Sequence, residues 1–414
     1  MHPEMPLVMT LAAALGLALP LGWLALRLRL PALVGYLCAG ILIGPFTPGP
    51  VADPGLSGQL AEIGVVLLMF GVGLHFSLDD LMAVRRIALP GALVQMTVAT
   101  ALGAALTLGW GWRTEAALVF GLALSVASTV VLLRALEARQ TLDEPDGRIA
   151  VGWLVVEDLA MVLVLVLLPV LAGPGDASAG ALGWSLLLTL LKVGGFIALM
   201  LAGGRRLLPW LLRQIVRTGS RELFTLCIIA VALGIAYGAA QLFGVSMALG
   251  AFFAGLVLRE SDHAHRAAEE SLPFRDAFAV LFFVAVGMLL DPAVLMQRPG
   301  QVLAVVLVIV LGKSLAAALL VLLLRRPLGS ALTISASLAQ IGEFSFILLA
   351  LGQQLGVMPA EAQSLVVAGA IISIALNPLL FALTGPLRGA LLTRSALLRR
   401  LDARVAPPAS IDPG

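Results

Sequence analysis

Charge is scarce in this chain: only 12% of its 414 residues are Asp, Glu, Lys or Arg. Soluble domains carry about 25%, so a water-soluble globule and a nucleic-acid binder are excluded together. Cysteine is nearly absent. Cys38 and Cys227 both sit inside apolar runs, which argues against a disulfide framework and against a metal site. The four histidines are too scattered for zinc. No Walker motif occurs and no GxGxxG follows a strand pattern, so nothing supports ATP-driven transport. The formal charge of +2 is too small to argue for an anionic partner. The N-terminus lacks the charged region, apolar core and cleavage site of a signal peptide, so none is expected to be cleaved. What the chain has instead is 60% hydrophobic residues and 43 glycines. That is the composition of an all-α polytopic membrane protein.

A spanning helix needs about 20 apolar residues. Thirteen segments qualify or nearly so: 6–26, 31–45, 58–77, 87–110, 115–136, 148–171, 181–208, 221–241, 244–258, 273–290, 300–323, 328–351 and 361–385. The second and ninth are short and rich in glycine. Arginine placement orients them. Connections after odd-numbered spans and the C-terminal tail hold twenty-two arginines, from Arg27 and Arg29 to Arg399, Arg400 and Arg404, against Arg113 and Arg298 opposite. This places the N-terminus outside and the C-terminus in the cytoplasm. Residues 388–414 are basic, then proline-rich, and read as a solvated tail or a linker.

The chain also echoes itself. A shift of 214 aligns Glu62 with Asp276, Phe70 with Val284 and Gly73 with Gly287; a shift of 215 aligns Gly35, Ala39 and Gly40 with Gly250, Ala254 and Gly255. The offset equals seven spans, an odd number, so the copies are inverted. Inverted repeats are typical of secondary transporters, whose sites lie at mid-membrane where discontinuous helices meet.

Few ionisable residues lie deep in a span. Asp158 is about ten residues, or roughly 15 Å, into its helix; Glu157 precedes it, and Glu343 and Lys313 lie at similar depth. Such groups are costly unless they pair or face water, which makes them functional candidates. Glu157 and Asp158 point about 100° apart on a helix. A natural division puts Asp158 in a water-filled cavity and Glu157 toward a cation, Lys313. Two neighbouring carboxylates in a low dielectric also resist double ionisation. The plainer reading of Glu157 and Lys313 is an ion pair that ties two helices. Ser125, Ser128 and Thr129 interrupt the fifth span, and Gln340 with Gly342 and Glu343 interrupts the twelfth. The shift of 214 sets Thr129 on Glu343. A break there exposes carbonyls and half-helix ends, which is tolerated only beside a cavity or packed on protein. The plainer alternative is small residues at helix contacts. His75 reads as an interfacial histidine or a pH sensor, Lys192 as a snorkelling lysine, and 173–176 as an external loop.

With these stretches in view, the chain resembles the monovalent cation:proton antiporter-2 family in its glutathione-regulated potassium-efflux (Kef) branch. The resemblance runs from about residue 6 to 385. It rests on Gly35 to Leu37 with Gly40 to Pro45, Glu62 to Gly73, Ser128-Thr129, Glu157-Asp158, Gly250 to Gly255, Phe282 to Met288 and Gln340 to Phe344. It implies about thirteen helices, inverted repeats, two crossed broken helices and a sodium/proton antiporter-like fold. It further implies a transport core over about 58–171 and 273–385, with dimerisation helices among the rest, and an elevator motion of the core in a homodimer of the bacterial inner membrane. Asp158 is then the ion-binding, proton-carrying aspartate, with Glu157, Ser125, Ser128, Thr129, Gln340 and Glu343 around the ion and Lys313 compensating charge. The expected activity is exchange of potassium, or sodium, for protons without a bound cofactor in this chain. Glu157 stands where Kef members known to move potassium have glutamine, and an acidic pair with a lysine is similar to electrogenic sodium/proton antiporters. Kef-like proteins also continue into a nucleotide-binding regulatory domain, to which 388–414 would be the linker. A gated potassium-efflux channel, a transporter-like cation sensor and, more weakly, a sodium:organic-acid symporter are the competing expectations.

Overall fold

The computed structural model describes residues 6–48, 53–75, 78–137, 139–142, 144–171, 179–261, 263–395 and 399. The loop 173–176 and nearly all of the tail after 395 lie outside the described residues. In chain order the helices are α1 (Pro6–Arg27), α2 (Ala32–Ile43), α3 (Pro54–His75), α4 (Leu78–Gly109), α5 (Thr114–Ser125), α6 (Thr129–Glu137), α7 (Pro145–Leu171), α8 (Ala179–Leu199) and α9 (Arg205–Arg217). Then come α10 (Arg221–Phe243), α11 (Met247–Arg259), α12 (Ala264–Met288), α13 (Ala293–Gln297), α14 (Pro299–Leu307), α15 (Lys313–Leu323), α16 (Leu328–Leu338), α17 (Glu343–Gln354) and α18 (Glu361–Arg394). No strand occurs among the described residues. Two π-helical turns, Met200–Gly204 and Val308–Gly312, join α8 to α9 and α14 to α15.

Nine described helices are long and apolar enough to cross a membrane, and α16 with α17, bent by 43° at their break, makes a tenth. The shorter apolar helices α2, α5 and α11 fill the remaining expected positions. Each of the thirteen expected segments is helical over most of its described length. This is a multi-pass membrane protein. Local signals set the ends: Ser220 and Ser246 accept from Leu223 N–H and Leu249 N–H at the starts of α10 and α11, and Gly244 ends α10 in the left-handed region. The last helix continues past the expected span, through 388–394 to Arg394.

The chain forms two compact units, Met1–Asp79 with Met161–Pro292, and Asp80–Ala160 with Ala293–Gly414. The first contains α1–α3 and α10–α12, the second most of α4–α7 and α13–α18. Each unit therefore holds both copies of its part of the repeat.

Within the first unit the repeat is visible as reciprocal packing. A Cβ on Gly40 of α2 would run into Val284 O of α12, and one on Gly287 would run into Leu37 O of α2. The mates do the same: a Cβ on Gly255 of α11 would strike Phe70 O of α3, and one on Gly73 would strike Phe252 O. Backbones this close admit only hydrogen at the contact, the small-residue packing that joins helices where lipid removes the hydrophobic drive between them. Gly64 packs on Phe278, its own mate at a shift of 214, at 2.5 Å for a built Cβ. A position that meets its own mate lies at the pseudo-two-fold axis relating the copies.

The core of the second unit gathers Leu132, Trp153, Leu154, Ala317, Val321, Ile334, Leu338 and Phe381. Trp153 is fully buried, against Gly91. The Arg139 guanidinium lies 4.4 Å over the Phe381 ring, a cation–π contact at the rim of this core.

The Gly287→Val protein is expected to lose its folded, monodisperse fraction in detergent, because the clash is with backbone. Gly16→Ala, where nothing lies within 4 Å, is expected to be neutral or to gain about 0.5–1 kcal/mol from helix propensity. Size-exclusion profiles and thermal melts of the two variants check this pair.

Candidate functional site

Two helices of the second unit are broken at mid-length. α5 stops at Ser125 and α6 starts at Thr129; α16 stops at Leu338 and α17 starts at Glu343. Gly342 makes their close approach possible, since a Cβ there would sit 2.6 Å from Ala127 O. Every break frees backbone donors and acceptors that a membrane interior leaves unpaired.

Side chains satisfy them one by one. The Gln340 carboxamide clamps Ser128: its Oε1 accepts from Ser128 N–H at 2.8 Å and its Nε2 donates to Ser128 O at 3.1 Å. The Glu157 Oε2 accepts from Ala127 N–H at 2.9 Å. The Lys313 Nζ donates to Gln340 O at 2.9 Å. An anion thus sits by the donor-rich start of α6 and a cation by the acceptor-rich end of α16, the sense that helix dipoles favour. Both charged groups are fully buried, as are Gln340 and Ser125. The expected Glu157–Lys313 ion pair is not among the salt bridges of the described residues; Glu157 accepts from the first break and Lys313 donates to the second, so each break carries one of them.

Sequence reasoning passed over three supports. Gln95 of α4 donates to Ser125 O at 2.9 Å and accepts from Trp153 Nε1 at 3.4 Å. Asn377 of α18 donates to Ala336 O at 2.9 Å. Both are polar residues in apolar spans, a signal that was there to read. The third is the π-helical turn Val308–Gly312, which ends against Lys313 and sets the register of that residue. Gln95 and Lys313 come from the helices preceding the two broken ones, and each sends a donor to a carbonyl at the break.

The remaining groups face one another differently. Asp158 lies midway along α7 and is 8% exposed, against 0% for Glu157. Thr129 Oγ1 donates to Asp158 Oδ2 at 3.0 Å, and Ser128 Oγ donates to Glu343 Oε2 at 3.2 Å. Glu157 Oε1, Asp158 Oδ1 and Glu343 Oε1, all buried, have no hydrogen-bond partner. Ser125 Oγ turns to Leu122 O at 2.7 Å and so serves its own helix. Among the described residues no three His, Cys, Asp or Glu side chains gather to hold a metal. The side chain of His75 lies outside the described ones, and Lys192 is exposed on α8.

The comparisons with known proteins meet this geometry. The model of the sodium/hydrogen exchanger transmembrane family matches residues 14–384. The chain belongs to the sodium/hydrogen exchanger family. It is a transporter and not an enzyme. This exchanger is 60% identical over 386 residues to YbaL of Escherichia coli (strain K12), which is named as a candidate cation/proton antiporter; the match covers 92% of this chain and 69% of YbaL. It is 34% identical to K(+) efflux antiporter 4 of Arabidopsis thaliana, over 85% of this chain and 60% of that one. It is 32% identical to the glutathione-regulated potassium-efflux system protein KefC of Cronobacter sakazakii, over 87% of this chain and 57% of KefC. The solved structure of the sodium proton antiporter MjNhaP1 from Methanocaldococcus jannaschii at pH 8 has the same fold, with a TM-score of 0.68 over 96% of this chain and 99% of that one, at 19% identity.

Gln340→Leu is expected to orphan both backbone groups of Ser128, at about 1–3 kcal/mol for each buried group, and to lower the melting temperature in detergent. Lys313→Met is expected to destabilise similarly, and Glu157→Gln added to it to restore part of the loss. A double-mutant cycle on thermal stability reads this coupling, and strictly additive losses contradict it.

Proposed function

We propose that this exchanger moves a monovalent cation, potassium first and sodium second, against protons, with Asp158 as the carrier of both. The observation that carries the reading is Asp158 itself: a mid-helix carboxylate, nearly buried, with one oxygen held by Thr129 and the other without a protein partner. A buried carboxylate of that kind is costly unless a cation or a proton neutralises it. Either ligand fills the same place, and both at once are disfavoured, which is the chemistry of obligatory exchange. Deprotonated Asp158, with the hydroxyl oxygens of Ser128 and Thr129, replaces part of the cation's water shell; protonated Asp158 releases it.

Glu157 and Lys313 act as fixed charges. They neutralise the broken helix ends in both loading states, so that the net charge of the moving part changes only through its cargo. The names of the relatives YbaL, KefC and K(+) efflux antiporter 4 support cation/proton exchange with potassium as the favoured ion. In this reading the transport core lies over about 58–171 and 273–385; the second compact unit, which holds every site residue, covers most of it, and α3 and α12 fall in the first. The core moves as an elevator against the dimerisation helices among the rest, in a homodimer of the bacterial inner membrane, with the N-terminus outside and the C-terminus in the cytoplasm. No cofactor bound by this chain enters the cycle.

In proteoliposomes the parent protein is expected to dissipate an imposed pH gradient on addition of potassium or sodium, and Asp158→Asn to behave like empty liposomes. Substantial cation-dependent proton movement by Asp158→Asn overturns the assignment. Thr129→Val, which removes one hydrogen bond to a charged group worth about 1.5 kcal/mol, is expected to raise the half-saturating cation concentration by roughly tenfold.

A further inference from the structure

The extended segment 126–128 of the first break is pinned along its length. Gln340 takes both backbone groups of Ser128 at its far end, and Glu157 accepts from Ala127 N–H in its middle. Its near end, the carbonyl of Ser125, belongs to Gln95 of α4, whose Nε2 donates to it at 2.9 Å. Gln95 is itself held. Its Oε1 accepts from the indole N–H of Trp153 at 3.4 Å, and Gln95, Ser125 and Trp153 are all fully buried. An indole nitrogen only donates, so the carboxamide has one orientation, oxygen toward Trp153 and nitrogen toward Ser125. Gly91, one turn before Gln95, brings α4 against that indole, since a Cβ there would lie 2.3 Å from the ring.

Trp153 and Glu157 are four residues apart on α7 and share one face of it. α7 therefore meets the segment at two places one turn apart, directly through Glu157 and by way of Gln95 through Trp153. Two such contacts fix the axial register of α7 against the break. Asp158 lies about 100° round the same helix from Glu157, and Thr129 follows the segment at the start of α6. The 3.0 Å bond from Thr129 Oγ1 to Asp158 Oδ2 closes the ring, so it depends on the bridge at the other end. We infer that Gln95 is a positioning residue for the exchange: held by Trp153, it sets the end of α5 against α7 and thereby places Thr129 on Asp158. The inference rests on the antiport reading above and adds a residue that acts on the carrier without touching the cargo.

The competing role for Gln95 is purely structural, one buried donor for one buried carbonyl. Losing that role costs stability and leaves the cation affinity of the folded protein alone. The experiment measures, for the full chain in proteoliposomes, the half-saturating potassium and sodium concentrations and the maximal cation-driven proton flux. Melting temperatures in detergent are taken beside them. Gln95→Leu is expected to raise the half-saturating concentration by about three- to tenfold through a weakened Thr129–Asp158 bond, with maximal flux within about twofold. Trp153→Phe keeps a ring against Gly91 and removes the N–H. It is expected to raise the same concentration by about threefold, and the double variant to be no worse than Gln95→Leu alone. In a Thr129→Val background Gln95→Leu is expected to add less than about twofold, because the bond it acts through is already gone. Parental half-saturating concentrations in Gln95→Leu, with only the melting temperature lowered, overturn the inference. So do effects of Gln95→Leu and Thr129→Val that multiply in full. If Gln95→Leu does not fold, Trp153→Phe decides on the same readouts. Exchange retained by Asp158→Asn removes the antiport reading itself, whereas its loss together with parental affinity in the Gln95 and Trp153 variants removes only the positioning role.

Discussion

Everything at the centre of this protein follows from the need to satisfy backbone groups where helices stop inside a membrane. Two breaks, 126–128 and 339–342, free amides and carbonyls at mid-depth, where no lipid can bond them. Gln340 serves both backbone groups of Ser128, Glu157 takes Ala127 N–H, and Lys313 gives to Gln340 O. Gln95 and Asn377 supply the remaining donors to carbonyls near the ends of α5 and α16. Once these partners are assigned, what is left over is informative. Glu157, Asp158 and Glu343 each keep one buried oxygen with no hydrogen-bond partner, and it is on that of Asp158 that exchange is proposed to turn.

The repeat explains why such a crossing can be built at all. An inverted copy brings a second broken helix to the same depth from the opposite side, so that each break finds its partner in its mate. The first unit shows the same device without breaks. Gly40 meets Gly287, and their mates Gly255 and Gly73 meet each other, at separations that no side chain larger than hydrogen permits. A transporter built this way has a rigid, self-complementary scaffold and a charge-bearing crossing in separate compact units. Fixed buried charges at the helix ends fit an alternating cycle, because they leave the cargo as the only variable charge.

Several features were legible in advance for plain physical reasons. Apolar length located the thirteen helical segments, and two of the three short helices, α2 and α11, were already marked as short and rich in glycine. Charged residues at mid-span stood out against an apolar background, so Glu157, Asp158, Lys313 and Glu343 were found as isolated exceptions. The paired polar interruptions around Ser128 and Gln340 located both breaks, since an uninterrupted apolar helix has no use for them. Gln95 and Asn377 were missed because a carboxamide in a span carries less cost than a charge and draws less notice. The π-helical turn before Lys313 has no sequence signature, as it arises from how the helix packs.

The division between the two levels is sharpest at Glu157. Composition, periodicity and the offset of 214 are properties of the chain in one dimension, and they determined membrane residence, helix positions, the repeat and the set of buried ionisable residues. They could not decide which buried group bonds which, because a partner 215 residues away, as Glu343 is from Ser128, leaves no mark on local spacing. The angle between neighbours already set Glu157 toward Lys313 and away from Asp158, and the tertiary structure gave Glu157 to the backbone of one break and Glu343 to the neighbouring hydroxyl of Ser128. The reason is angular. Consecutive residues on a helix face directions about 100° apart, so two acids that touch in sequence are parted by the helix that carries them, and only the fold selects the group that faces each.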